Sequence, residues 1–188
     1  MIKKKKKVAR RKKVVSKASQ RAAFKRRMMK LATVRSSQGL DNCAGGAFGL
    51  YAPLTDEVGM KIYFADRART DKAARKTTSW KRAKHYLKCL KAASAGKNPI
   101  SPKGHFVSTI PMPEGKRAVV LFMEHIEGSD GVSDAATRRF EKRLKQLGIK
   151  HGDWNSEHNV MTREEDHKEF IIDFDLARYK GRGAVRGE

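Results

Sequence analysis

The chain has 188 residues, 39% of them hydrophobic, and carries 43 Lys and Arg against 20 Asp and Glu, a formal net charge of +23. That length suits one domain, or one domain split into two small lobes, around a packed core. The longest apolar run, residues 118–123, is far too short to span a bilayer, and the Lys-rich start lacks the apolar stretch of a signal peptide, so a cytoplasmic protein with reduced thiols is expected.

The charge is uneven. Residues 1–40 hold sixteen Lys and Arg and no acid, whereas the remainder holds 27 basic and 20 acidic residues. The opening block, MIKKKKKVARRKKVVSK, repels itself and has little to bury, so it should not fold alone. Such a block binds polyanions by releasing counterions, with little sequence preference. Residues 3–30 are therefore the expected contact for nucleic acid, an anionic membrane surface or an acidic protein. A solvated tail is the plain alternative.

Phe24, Met28 and Leu31 lie on one helical face and predict a helix over 17–34, ended by SSQGLDN. AGGAFGLYAP and EVGMKIYF read as a Gly-rich strand-turn-strand across LTDE. Residues 69–94 predict a helix whose apolar face is Trp80, Ala83, Leu87 and Leu90. HFVSTIPM and RAVVLFMEHI are β-rich runs joined by the turn PEGK. EGSDGVSD reads as a loop. A helix capped by Ser133 or Asp134 follows, with Phe140, Leu144 and Leu147 inward, and Gly148 ends it. NVMT and EFIIDFD are short strands around REEDHK. An antiparallel sheet followed by a helical piece is an α+β fold in two lobes.

Cys43 and Cys89 form no CxxC pair, which argues against a zinc site. Gly45, Gly46 and Gly49 either permit a hairpin turn or let backbone N–H groups approach a phosphate. Lys61 lies in an apolar strand, so it needs an anion or a path to water. Asp153 and Asp173 are flanked by apolar residues, where a carboxylate is costly unless paired or metal-bound. Together with Asn159 they form an oxygen-rich set suited to Mg²⁺; singly, each Asp reads as a cap or a turn residue.

Five of these stretches, over residues 41–180, resemble the protein-kinase-like superfamily in order. GGAFG resembles the second half of its nucleotide loop, VGMKI its third-strand Lys motif, and VVLFMEHIEG its fifth strand and hinge. HGDWNSEHNVM resembles its catalytic loop in the His-Gly-Asp form of RIO kinases, lipopolysaccharide-core kinases and aminoglycoside phosphotransferases. IIDFDLA resembles its metal-binding motif, with Asp-Phe-Asp for Asp-Phe-Gly.

The resemblance implies a two-lobed kinase-like fold: a basic arm and helix over 1–40, an N-lobe over 41–123 and an abbreviated C-lobe over 124–188. It implies that Gly46, Phe48 and Gly49 cover the phosphates of ATP and that Lys61 holds the α and β phosphates. Glu124 and Ile126 would offer hinge backbone groups to adenine. Asp153 would orient or deprotonate a hydroxyl acceptor, a protein Ser/Thr or a sugar, and Asn159 and Asp173 would hold Mg²⁺.

Three departures stand out. No acid occurs between Asp71 and Glu114, so the helix after the third strand lacks the usual Glu partner for Lys61. Asn159 is one residue further from Asp153 than the family spacing. Little chain follows Asp173, which leaves no activation segment or helical platform for a peptide. The expected function is a minimal phosphotransferase. The alternative is a pseudokinase-like binding protein that uses its basic arm on nucleic acid or an acidic partner.

Overall fold

The computed structural model describes residues 16–40, 43–46, 48–63, 78–154 and 157–180. Among them the fold is α+β, with a five-stranded antiparallel sheet, two smaller sheets and three helices. No helix of the described residues is long and apolar enough to cross a membrane.

The large sheet contains β1 (Ala44–Gly46), β2 (Gly49–Thr55), β3 (Val58–Tyr63), β4 (Gly104–Pro111) and β5 (Arg117–Glu124), in the order β1-β2-β3-β5-β4. The Gly-rich stretch is therefore a hairpin in itself, with Gly46 opposite Gly49. A Cβ on Gly49 would stand 2.0 Å from the Ile62 carbonyl oxygen, so only glycine lets β2 and β3 approach there.

Strand alternation sorts this sheet into two faces. Ala52, Val58, Met60, Ile62, Ile110, Ala118, Val120 and Phe122 form one apolar layer. Helix α1 (Lys17–Ser37) covers it with Met28 and Ala32, flanked by Phe24, Met29 and Leu31. The helix runs past the expected end at 34 to a cap at Gln38, and Gly39 follows in the left-handed region at φ 93°. Residues 3–15 of the expected polyanion contact lie outside the described residues.

The opposite face carries Tyr51, Lys61, Tyr63, Leu121 and Met123 toward α2 (Ser79–Ala93). Thr78 caps this helix by accepting from the Lys81 N–H. The rest of the expected helix, residues 69–77, lies outside the described residues, as does Asp71. The buried face of α2 is Ala83, Tyr86, Cys89, Leu90 and Ala93, with Leu87 half-buried. Trp80, expected inward, is 38% exposed: it sits in the first turn and its ring receives the Lys84 ammonium instead.

Below the sheet, α3 (Asp134–Leu147) buries Phe140, Leu144 and Leu147 as expected. Ser133 caps its start, and Gly148 at φ 66° ends it. Two short strands, β7 (Ile149–Lys150) and β10 (Arg178–Tyr179), pair with each other. The expected loop at 127–134 contains β6 (Gly128–Asp130), which pairs with β8 (Val160–Arg163). All three β6 residues are exposed, so the sequence has no alternation to reveal them. Strand β9 (Glu169–Ile171) pairs with β8 but stops before Ile172, earlier than EFIIDFD suggested. The Ile172 N–H still donates to the Asn159 carbonyl, the next pair in the same register.

Candidate functional site

Between the sheet and the C-terminal segment lies a cavity of about 450 Å³, within the range of small-molecule sites. Gly49, Lys61, Glu124, Ile126 and Asp173 all line it, with Tyr51, Tyr86, Met123 and His125 among the other walls. Chain positions 112 apart thus meet at one point: Lys61 Nζ lies 3.1 Å from Asp173 Oδ2.

Lys61 reaches the cavity because alternate β3 residues, Met60 and Ile62, turn to the α1 side. Its ammonium also lies 2.5 Å from Asp175 Oδ2 and 4.9 Å above the Tyr86 ring. Burial pushes the Lys61 amine down, but Asp175 and Asp173 together outweigh that and hold it above the ordinary lysine value. Asp175 accepts a hydrogen bond from the Tyr63 hydroxyl on its other oxygen, at 3.1 Å. Burial, opposed by Lys61, leaves its carboxyl above the usual carboxylate range.

The residues 173–175 form a turn. Asp173 Oδ1 accepts from the Asp175 N–H at 2.8 Å, which brings both carboxylates to Lys61. Phe174 points the other way into the core, edge-on to Tyr86 and to His151.

The catalytic-loop candidate joins this turn through His151. Burial lowers the His151 pKa, so its ring is neutral near pH 7. Its Nε2–H donates to the Asp173 carbonyl, and Nδ1 accepts from the Asp153 N–H at 3.4 Å. Trp154 anchors the same loop by packing edge-on against Phe140 of α3. The Asp153 carboxylate remains 45% exposed. The Asn159 amide donates to the Asp153 carbonyl at 2.8 Å, from the end of a single 3-10 turn, Glu157–Asn159. That bond uses the Asn159 nitrogen and leaves its side-chain oxygen for a ligand.

Not every expected residue lies on the cavity. Phe48, Asp153 and Asn159 are absent from its walls. The Phe48 ring is covered by the Arg82 guanidinium, 4.0 Å from its centroid. At the hinge candidate, the Glu124 N–H already donates to the Lys103 carbonyl, so Glu124 could offer a base only its own carbonyl. Its carboxylate is held by the Lys103 N–H and Arg163.

Sequence reasoning missed Tyr51 and His125, whose side chains meet at 2.7 Å on the cavity wall. Burial raises the Tyr51 phenol well above its ordinary value, so it stays protonated and shares a hydrogen bond with His125 Nδ1. Gly59 makes room for this pair, since a Cβ there would fall 2.0 Å from the Tyr51 oxygen. The second Asp of IIDFDLA was the one visible signal for Asp175.

Among the described residues no three His, Cys, Asp or Glu side chains gather to hold a metal. The donors that fit Mg²⁺ are the hard oxygens of Asp173 and Asn159, a partial set of the kind this ion completes with waters and phosphates. Two carboxylates facing one ammonium also give the cluster an excess of anionic groups. No protein-family model matches this chain, and no curated protein matches it.

Proposed function

We propose that the chain is an ATP-dependent phosphotransferase that moves the γ-phosphoryl group to a hydroxyl acceptor, a protein Ser/Thr or a sugar. The observation that supports this most is the meeting of Lys61 and Asp173 on the wall of a cavity also lined by Gly49, Glu124 and Ile126. Kinase chemistry needs that juxtaposition of a strand Lys, a metal-binding Asp and a hinge.

In this reading Lys61 holds the α and β phosphates, and Asp153 accepts the proton of the attacking hydroxyl. Its exposure lets an acceptor approach from solvent. His151 fixes the separation of Asp153 and Asp173 by bonding to the backbone of both. Asp173 and the Asn159 oxygen would hold Mg²⁺, which supplies charge neutralisation at the phosphates.

A second reading, a binding protein without transfer, draws on α1. Its Arg21, Lys25, Arg26, Arg27 and Lys30 side chains are exposed and no acid lies among residues 16–40, which suits a polyanion. Incubation with labelled ATP and Mg²⁺ separates the two. Loss of ATP or self-labelling that disappears in Asp173→Ala supports transfer, whereas saturable ATP binding with no transfer supports the binding protein.

A further inference from the structure

A lysine that must hold phosphates needs a fixed anion beside it. In protein kinases that anion is a Glu on the helix after the third strand. Helix α2 has no Asp or Glu anywhere along its length. What it turns toward Lys61 is the Tyr86 ring, which attracts an ammonium by its π face but carries no charge. Tyr86 is itself committed, donating its hydroxyl to the Ile172 carbonyl.

The two carboxylates at Lys61 differ in their surroundings. Asp173 is 35% exposed and lines the cavity. The Asp175 side chain is 2% exposed, lies off the cavity and sits closer to the ammonium, at 2.5 Å against 3.1 Å. Its second oxygen is held by Tyr63, two residues along β3 from Lys61 and on the same face. Asp173 can therefore meet a metal from the cavity; Asp175 is enclosed by Lys61, Tyr63 and the turn.

We infer that Asp175 is the positioning residue of Lys61, supplying from the metal-binding turn the fixed charge that α2 lacks and leaving Asp173 to the metal. This deepens the phosphotransferase reading and rests on it. It also changes what holds the site together. Where a helix acid holds the lysine, moving the helix breaks the pair and switches the enzyme off. Here the anchoring carboxylate comes from the turn after β9, so no α2 carboxylate is part of the pair.

The test uses the full chain with Asp175→Asn, Asp173→Asn and Tyr63→Phe. The readouts are the trace acetylation rate of Lys61 without nucleotide, ATP affinity with and without Mg²⁺, and urea stability. Loss of the anchor should speed Lys61 acetylation and weaken ATP binding by about 10–100-fold, with or without Mg²⁺, the usual cost of losing a supporting group. Asp173→Asn, which removes the more distant carboxylate, should speed acetylation less than Asp175→Asn and remove only the Mg²⁺-dependent part of the affinity. Tyr63→Phe should shift acetylation in the same direction as Asp175→Asn but less, and it carries the test if Asp175→Asn does not fold.

An Asp175→Asn protein that loses stability yet keeps wild-type acetylation and ATP affinity would overturn the inference and leave Asp175 a structural residue. So would an unchanged acetylation rate in Tyr63→Phe where Asp175→Asn cannot be studied. If the wild type binds no ATP while the acetylation contrast between Asp175→Asn and Asp173→Asn persists, Asp175 still positions Lys61 and the phosphotransferase reading alone fails.

Discussion

His151 donates its Nε2–H to the backbone carbonyl of Asp173, so the catalytic-loop and metal-loop candidates are joined by one buried imidazole. The bond is to backbone, which leaves the Asp173 carboxylate free to face the cavity.

Asp153→Asn should therefore separate chemistry from binding. The side chain is 45% exposed, so the change costs little stability. If Asp153 takes the acceptor proton, turnover should fall by about 10²–10⁴-fold, the usual worth of a general base. ATP affinity should stay near wild type. Steady-state rates beside nucleotide titrations check this, and an active Asp153→Asn protein removes the residue from the mechanism.

Lys61→Met should be costly even without nucleotide. It leaves the enclosed Asp175 carboxylate with no cation, and breaking a buried pair from one side costs about 3–5 kcal/mol. Asp173, being more exposed, can turn to water. Urea unfolding should show the loss, and the double variant Lys61→Met/Asp175→Asn should recover part of it. No recovery would mean that the cost of Lys61→Met lies elsewhere.

The two thiols should behave differently. Burial pushes the Cys89 thiol up to about 12, whereas Cys43 is half-buried beside the α1 layer. At pH 8 a thiol reagent should modify Cys43 in native protein and reach Cys89 only after unfolding. The linkage has a definite sign. An unfolded thiol ionises near pH 8.5, so the stabilisation from keeping Cys89 protonated is whole below about 8.5. It declines as pH rises toward the folded value. Above pH 8.5 wild-type stability should fall more steeply with pH than that of Cys89→Ala.

Truncations should distinguish the basic arm from the helix that follows it. Removing residues 1–15 should leave ATP binding unchanged, while affinity for nucleic acid or anionic vesicles drops and its salt slope flattens. Extending the deletion through α1 uncovers Met60, Val120 and Phe122. That protein should be strongly destabilised. Within α1, Met28→Ala alone should cost about 2–5 kcal/mol, as large-to-small core changes do. Equal salt slopes for full-length and shortened chains would show that the arm is not the polyanion contact.

Much of this arrangement was legible in the sequence. Alternation in VGMKIYF sets Lys61 on the face opposite Met60 and Ile62, and the Ser133 and Gly148 signals bound α3. The partner of Lys61 was not legible. In a strand, residues 173 and 175 would share a face by period alone; here β9 has already ended, and a side-chain-to-backbone hydrogen bond sets both directions. Such a bond leaves no periodic trace. The pairing of Tyr51 with His125 was hidden for a different reason: it depends on the register of β2 on β3 and on the room at Gly59.

The strand order of the large sheet carries a consequence for how the chain assembles during synthesis. β3 leaves the ribosome well before its neighbour β5, with α2 and β4 made in between. Until β5 arrives, β3 has one unpaired edge, and the apolar layer shared with α1 is incomplete. Unpaired edges recruit other chains. The hairpin of β4 and β5 closes locally across a short turn, so it can form first and then dock as a unit on β3. β5 is thus the keystone of the sheet, and a slip in its register would leave two open edges at once. Substitutions in residues 118–123 should lower the yield of soluble protein beyond what their effect on native stability explains.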